Sequence, residues 1–183
     1  MVSLKNITIK QIFSCIIALL LIIFSEARPV PFLIGVVIVS VGETIRFWAA
    51  GHLKKDKSLT ITGPYAYVKN PLYIGTLLVI IGMCLCAYNF YILAFGLTVF
   101  FFQYLPYKLE KEGSRLEKIF GEEYIAYAKQ VPNLIPKLTP YRPEGKAIKK
   151  WSFEQVKGNS EHLTFLAILA GIILISRNLW IRG

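Results

Sequence analysis

The residues that could do chemistry are concentrated in two polar stretches of an apolar chain. The first stretch runs from His52 to Pro71, and the second begins at Tyr107. The histidines are His52 and His162, the three cysteines (Cys15, Cys84 and Cys86) lie in apolar runs, and no Cys/His cluster has metal-ligand spacing. No covalent nucleophile stands out, so the chemistry left open is the binding and positioning of reactants. A soluble metalloenzyme and a secreted disulfide framework are excluded.

One charged pair lies apart from these stretches. Glu43 and Arg46 are separated by three positions near the end of an apolar segment. At this spacing they are neighbours on a helix surface, which predicts an ion pair. Charged residues within a membrane segment are also functional candidates, so both interpretations stay open.

The elements that must position these residues are predicted to be membrane helices. Of the 183 residues, 55% are hydrophobic and 17% are charged, whereas soluble domains carry about a quarter charged residues. The lengths of the apolar runs predict an all-α, polytopic bundle of about five transmembrane helices in a single domain, 1–183. The first run is expected to stay in the mature chain, because Glu26-Ala27-Arg28-Pro29 does not resemble a signal-peptide cleavage site. The predicted spans are 7–25, 30–50, 72–88, 90–105 and 162–180.

The distribution of basic residues predicts the orientation of the bundle. The formal net charge is +10. If the amino terminus is cytoplasmic, eighteen Lys and Arg residues lie on the cytoplasmic side and three on the other side. This asymmetry follows the positive-inside rule and predicts that both polar stretches are cytoplasmic. We expect the basic charge to face anionic lipid rather than nucleic acid, with the proline-rich tail 133–150 lying irregularly against the membrane face.

Local signals predict the structure of the two polar stretches. Gly63-Pro64 and Asn70-Pro71 mark turns, and this asparagine is expected to cap a helix whose first turn contains the proline. The second stretch predicts two amphipathic helices separated by Gly121. Tyr124 and Tyr127 lie three apart on one helical face, which favours packing against the membrane face over ligand contact.

Two motifs resemble those of the isoprenylcysteine carboxyl methyltransferases, and the related phospholipid N-methyltransferases share a similar element. The first motif is Gly63-Pro64-Tyr65-Ala66-Tyr67-Val68-Lys69-Asn70-Pro71-Leu72-Tyr73-Ile74-Gly75. The second is Glu112-x-x-x-Leu116-x-x-x-Phe120-Gly121-Glu122-Glu123-Tyr124-x-x-Tyr127-x-Lys129-x-Val131-Pro132, followed by Pro136. Both motifs occur in the family's order around the same uncharged helical hairpin, and the resemblance covers about residues 52–137.

The resemblance implies a small helical membrane bundle that holds S-adenosylmethionine at the cytoplasmic helix ends. Glu112 and Lys69 would be the catalytic residues, with Glu112 on the cofactor's ammonium and Lys69 on its carboxylate. Tyrosine faces would favour the sulfonium charge. No metal is implied. The implied cofactor-binding residues are His52, Gly63, Tyr65, Lys69, Asn70, Pro71, Tyr73 and Glu112.

Three features depart from the family's pattern. Lys69-Asn70 replaces an Arg-His pair, which retains the positive charge and removes an imidazole. The family's paired acids are split here, because Lys111 separates Glu110 from Glu112. Residues 100–104 contain no cation, whereas the eukaryotic carboxyl methyltransferases carry an arginine in this region.

The sequence therefore predicts an S-adenosylmethionine-dependent membrane methyltransferase whose amphiphilic substrate arrives from the bilayer. The acceptor that we predict first is the carboxylate of an isoprenylcysteine-like molecule, and the alternative acceptor is a phospholipid amine. We expect the substrate to enter between helices, where bulk at Gly75 would block turnover without changing cofactor affinity. Two other classes stay open: a non-catalytic membrane protein that binds a lipid or partner, and a reductase of the sterol type with a nicotinamide cofactor.

Overall fold

The computed structural model describes residues 9–54, 58–143 and 150–182, and within these ranges all regular secondary structure is helical. This confirms the predicted all-α fold. Residues 7 and 8 of the first predicted span lie outside the described residues, and so does the side chain of Cys15. The helices are α1 (Ile9–Ile23), α2 (Pro29–His52), α3 (Pro71–Cys86), α4 (Phe90–Val99), α5 (Leu105–Phe120), α6 (Glu122–Gln130), α7 (Phe153–Gly158) and α8 (Glu161–Arg182), with a 3-10 turn at Gly63–Ala66 and a π-helical turn at Phe100–Tyr104.

Three helices in the described ranges are long and apolar enough to cross a membrane: Pro29–His52, Phe90–Phe120 and Glu161–Leu179. Helix α3 is apolar but has 16 residues, and α1 is described over 15 residues. The protein is therefore an integral membrane helix bundle. The predicted number of five crossings stays a prediction.

The fourth predicted span continues further than expected. We predicted that this span ends at residue 105, but α4, the π turn and α5 form one uninterrupted helix to Phe120. In the π turn the Leu105 amide donates to the Phe100 carbonyl, five residues earlier. Pro106 follows directly and has no amide hydrogen for the Phe102 carbonyl, so the ordinary α-helical pattern could not pass through this point unchanged.

Glycines hold α2 and α3 in close contact. A Cβ atom on Gly35 would lie 2.5 Å from the Gly82 carbonyl oxygen, and one on Gly75 would lie 2.7 Å from the Gly42 carbonyl oxygen. Small residues allow this backbone approach between membrane helices. Gly75 therefore faces α2, and bulk at this position would force the two helices apart. Our expectation that such bulk would block only the acceptor is corrected accordingly.

The segment 151–161, which the sequence left without a prediction, covers the carboxyl end of α2. It contains α7 and supplies three hydrogen-bond donors to carbonyl groups in the last two turns of α2. The bonds are Trp151 Nε1 to Phe47 O at 3.1 Å, Ser152 N to Gly51 O at 2.9 Å, and Asn159 Nδ2 to Ala50 O at 3.0 Å. This cover fixes the point where the chain leaves α2 and enters the first polar stretch.

Residues 131–141, here called the strap, run alongside the first polar stretch. Backbone bonds join the two segments at four points, and Val131 packs with Leu59, Ile61 and Tyr127 in a small core. The strap is irregular, as predicted for the tail. The four bonds are Lys69 N to Pro132 O at 2.8 Å, Asn70 N to Asn133 O at 3.2 Å, Lys137 N to Tyr67 O at 3.0 Å, and Tyr141 N to Ala66 O at 2.8 Å.

Candidate functional site

A cavity of about 230 Å³ lies where the two sequence motifs meet. The first polar stretch forms one wall, and α5 from Lys108 onward, together with α6, forms the other. The cavity is partly open to the surroundings, so a ligand of nucleotide size can extend beyond the enclosed volume. Six of the eight predicted cofactor-binding residues line it: Tyr65, Lys69, Asn70, Pro71, Tyr73 and Glu112.

Tyr73 and Glu112 are joined across the cavity. The Tyr73 hydroxyl donates a hydrogen bond to the Glu112 carboxylate, linking the first turn of α3 to the middle of α5. The Tyr104 ring lies edge-on to the Tyr73 ring with their centroids 5.8 Å apart. The carboxylate is therefore held at a fixed position beside two aromatic rings.

Tyr65 presents a buried hydroxyl at this cavity. The residue is 7% exposed, and its hydroxyl has no hydrogen-bond partner among the residues that the structure describes. Burial raises the pKa of the Tyr65 phenol well above its ordinary value, so the group stays protonated and able to donate. The Tyr127 hydroxyl donates to the Tyr65 carbonyl oxygen at 2.8 Å and so fixes this loop.

Lys69 and Asn70 connect the cavity to its supporting segments. The Lys69 ammonium donates to the Ala128 carbonyl oxygen at 3.2 Å, and burial lowers the pKa of Lys69. We predicted that the Asn70 side chain would cap α3, but it makes no cap hydrogen bond there. Its amide nitrogen donates instead to the Asn133 carbonyl oxygen of the strap at 3.2 Å. Pro71 begins α3 as expected.

His52 and Gly63 lie behind the cavity wall and are not among the lining residues. Gly63 has φ +63°, and a Cβ atom on it would lie 2.5 Å from Nε2 of the buried His52 ring. The Thr62 hydroxyl oxygen is 3.3 Å from His52 Nδ1. In the structure His52 and Gly63 therefore position the loop that carries Tyr65.

The second motif contributes residues that we had not assigned to the site. Tyr127 is 3% exposed and packs in the core with Val131, and both it and Tyr124 line the cavity. Their three-residue spacing, which we interpreted as a packing face, was the available signal. The other unassigned lining side chains with charge are Lys54, Lys108 and Arg115.

A second polar cluster, here called the ion cluster, joins α2, α3 and α8. Arg46 Nε lies 3.2 Å from Glu43 Oε1, which confirms the predicted pair. The Arg46 guanidinium also donates to Glu161 Oε2 and to the Thr76 hydroxyl oxygen, each at 2.6 Å. Glu161 lies 115 positions from Arg46, and no local pattern in the sequence indicated this contact.

The cavity residues fit the S-adenosylmethionine that the resemblance implies. Glu112 supplies a negative charge for an ammonium group, and Lys69 supplies a positive charge for a carboxylate. The unsatisfied Tyr65 hydroxyl is a buried donor without a protein acceptor in the described chain. The Tyr73 and Tyr124 rings provide aromatic faces for a sulfonium. Within the described residues, no His/Cys/Asp/Glu group has the arrangement of a metal site.

Comparison with known proteins agrees with this geometry. The phospholipid methyltransferase family matches residues 13–123, which include the cavity-lining parts of α3 and α5. Over 118 residues the chain is 30% identical to the cobalt-zinc-cadmium resistance protein CzcN of Cupriavidus metallidurans, covering 63% of this chain and 54% of the relative. Over 99 residues it is 31% identical to the protein-S-isoprenylcysteine O-methyltransferase of Schizosaccharomyces pombe, covering 54% and 41%.

A third relative is similar over a longer range. The nickel-cobalt-cadmium resistance protein NccN of Alcaligenes xylosoxydans xylosoxydans is 26% identical over 149 residues, covering 80% of this chain and 68% of the relative. The chain spans about half the length of the first two curated relatives. No solved structure matches. Because the family match covers more than half of the chain, this chain belongs to the phospholipid methyltransferase family.

Proposed function

We propose that this chain transfers a methyl group from S-adenosylmethionine to a lipid-like acceptor that reaches the cavity from the bilayer. The observation that carries the proposal is the cavity between the two motifs, at the end of a bundle with membrane-spanning helices. Family membership supports the same reaction class. A cytoplasmic location of the cavity is part of the proposal and rests on the distribution of basic residues.

The described residues can orient both reactants without a covalent intermediate. When bound, S-adenosylmethionine supplies a methyl group on a positively charged sulfur. Glu112, fixed by the Tyr73 hydroxyl, holds an ammonium group, and the tyrosine rings stabilise positive charge beside it. Apolar lining from α5, including Leu109 and Leu116, excludes water from the line of attack. Alignment of donor and acceptor is the main requirement for a displacement of this kind.

The first candidate acceptor is a carboxylate, as on an isoprenylcysteine-like molecule. Basic side chains outnumber carboxylates in the cavity lining, where Glu112 is the acidic residue. Lys69 is assigned to the donor, and Lys54 and Lys108 are further lysines for an anionic acceptor. A carboxylate needs no general base. The relative from Schizosaccharomyces pombe is named for O-methylation of such a substrate. The basic lining residues are Lys54, Lys69, Lys108 and Arg115.

The second candidate is a phospholipid amine, which the match to the phospholipid methyltransferase family favours. Arg46 contacts Glu43, Glu161 and Thr76 and is not among the residues that line the cavity. The cations of the cavity lining would then contact the phosphate of the lipid. An ammonium must lose a proton before it accepts the methyl group.

The test incubates purified protein in lipid nanodiscs with methyl-labelled S-adenosylmethionine and each acceptor class. Base-labile, volatile label identifies a methyl ester, whereas base-stable label in the lipid fraction identifies an amine. The Glu112→Gln variant is the control and should lose transfer. The proposal is contradicted if no lipid acquires label and calorimetric titration with S-adenosylmethionine gives no saturable heat. That result would favour the non-catalytic interpretation.

A further inference from the structure

The strap exposes two large apolar side chains at the cavity end of the bundle. Ile135 is 81% exposed and Leu138 is 96% exposed. The four backbone bonds that join the strap to residues 66–70 lie on both sides of these two positions. Ile135 and Leu138 are therefore exposed on a segment that is held in place. The protein could bury these side chains elsewhere only if those backbone bonds broke.

The contacts of Leu134, next to Ile135, show at which level of the spanning helix the strap lies. Leu134 packs against a buried cluster of Tyr73, Phe100 and Leu105. Phe100 and Leu105 lie at the end of the uncharged run of the spanning helix, whose first charged residue is Lys108. The strap therefore lies at the boundary between the apolar and the charged part of this helix, which is the level of lipid headgroups.

The charge of this segment is compatible with a lipid surface. Residues 131–143 include Lys137 and Arg142 and no acidic residue. Basic residues near a membrane surface are attracted to anionic headgroups, and an apolar side chain beside them can enter the interfacial layer. Asn133 lines the cavity, so the same segment connects the cavity to this boundary.

From this arrangement we propose that the strap inserts Ile135 and Leu138 into the interfacial layer of the bilayer that the helices cross. The occupant of this apolar surface is lipid, because the contacts of Leu134 place the strap at the boundary of the apolar part of the spanning helix and the segment carries Lys137 and Arg142 without an acidic residue. The strap then forms a wall shared by the cavity and the bilayer. The proposal concerns membrane contact and holds whether or not the chain transfers methyl groups.

The test places a polarity-sensitive fluorescent amino acid at Leu138 in the full chain, reconstituted in nanodiscs without other proteins. This position is almost fully exposed, so the substitution removes no packing contact. Lipids brominated near the glycerol or in the middle of the acyl chain report depth by quenching. Two matched controls carry the same probe: Glu122, exposed on α6, and Phe95, 52% exposed on the spanning helix.

The expected result is blue-shifted emission at Leu138 with a loss of intensity that is larger for the shallow bromines than for the deep ones. The Glu122 probe should show water-like emission, and the Phe95 probe should respond most to the deep bromines. Water-like emission at Leu138 would overturn the proposal. Blue-shifted emission that no brominated lipid quenches would also overturn it, because the chain itself would then cover the site. A probe at Ile135 repeats the measurement independently.

Discussion

Two groups of polar side chains differ in what they contact: the ion cluster joins α2, α3 and α8, and the cavity group lines the space between the two motifs. In the ion cluster, the Arg46 guanidinium contacts two carboxylates and one hydroxyl on three helices. In the cavity group, consisting of Tyr65, Tyr73 and Glu112, the Tyr65 hydroxyl has no partner within the described residues and the side chains face open space.

The difference indicates separate roles for the two groups. Buried opposite charges that contact one another connect helices, and removing one of them leaves the others without compensation. Polar groups that are left unsatisfied at a cavity are available to a ligand. We therefore expect changes in the ion cluster to reduce stability, and changes in the cavity group to reduce ligand affinity at nearly constant stability.

The largest effect is expected from Arg46→Met. This change leaves Glu43 and Glu161 buried without a cation, which should cost about 3–5 kcal/mol in the free energy of unfolding. Thermal unfolding in detergent should show a much lower melting temperature. Adding Glu43→Gln and Glu161→Gln should recover part of the loss, because the uncompensated charges are removed. The exposed Lys118→Met is the control and should leave the melting temperature unchanged.

The second effect should separate the cavity group from the ion cluster. Glu112→Gln keeps the shape of the side chain and an acceptor for Tyr73 but removes the charge. A hydrogen bond to a charged group is worth roughly 1.5–3 kcal/mol, so affinity for S-adenosylmethionine should fall by roughly 10- to 100-fold in calorimetry. The melting temperature should hardly change. Glu110 is exposed two positions earlier, and Glu110→Gln should change neither the affinity nor the melting temperature. Equal losses of affinity in both variants would refute the assignment of Glu112.

A third, smaller effect is expected behind the cavity wall. Gly63→Ala introduces a Cβ atom at φ +63° and against the His52 ring, whereas Gly121→Ala introduces one at φ +53° with nothing within 4 Å. Backbone strain of this kind costs about 1–3 kcal/mol, so both variants should melt earlier. Gly63→Ala should lower the melting temperature more than Gly121→Ala does, and it alone should weaken binding of S-adenosylmethionine. Equal effects would mean that the His52 contact is unimportant.

The smallest effect is a pH dependence of donor binding. Burial lowers the pKa of Lys69, so this ammonium loses its proton at a lower pH than an ordinary lysine does. If Lys69 holds the donor's carboxylate in its charged form, affinity should fall as the pH rises toward the alkaline range. Lys69→Arg stays charged throughout and should abolish the decline. A decline that persists in this variant would assign it to another group.

The sequence predicted the features that depend on local pattern. The apolar runs indicated the helices, Gly121 indicated the end of α5, and the motif residues from Tyr65 to Glu112 indicated six lining positions of the cavity. These predictions succeed because helix periodicity and turn chemistry are properties of neighbouring residues.

Other features depend on contacts between distant parts of the chain. The ion pair between Arg46 and Glu161 exists only because α8 returns to α2. The amide group of Asn70 was expected to cap α3, but the strap offers it a carbonyl acceptor. His52 was expected at the cofactor, and packing against Gly63 places it one layer behind. In each case tertiary contacts decide between two chemically reasonable partners.

The π turn at Phe100–Tyr104 determines the direction of everything that follows it. One additional residue in a helical turn rotates all later side chains about the axis by about 100°. The helix therefore turns a different side toward lipid before the π turn than after it. After the turn, Glu112 faces the cavity. Deleting a single residue from this turn would rotate the later part of the helix back by about 100° and turn the Glu112 carboxylate away from the cavity. None of the residues that line the cavity would have been changed.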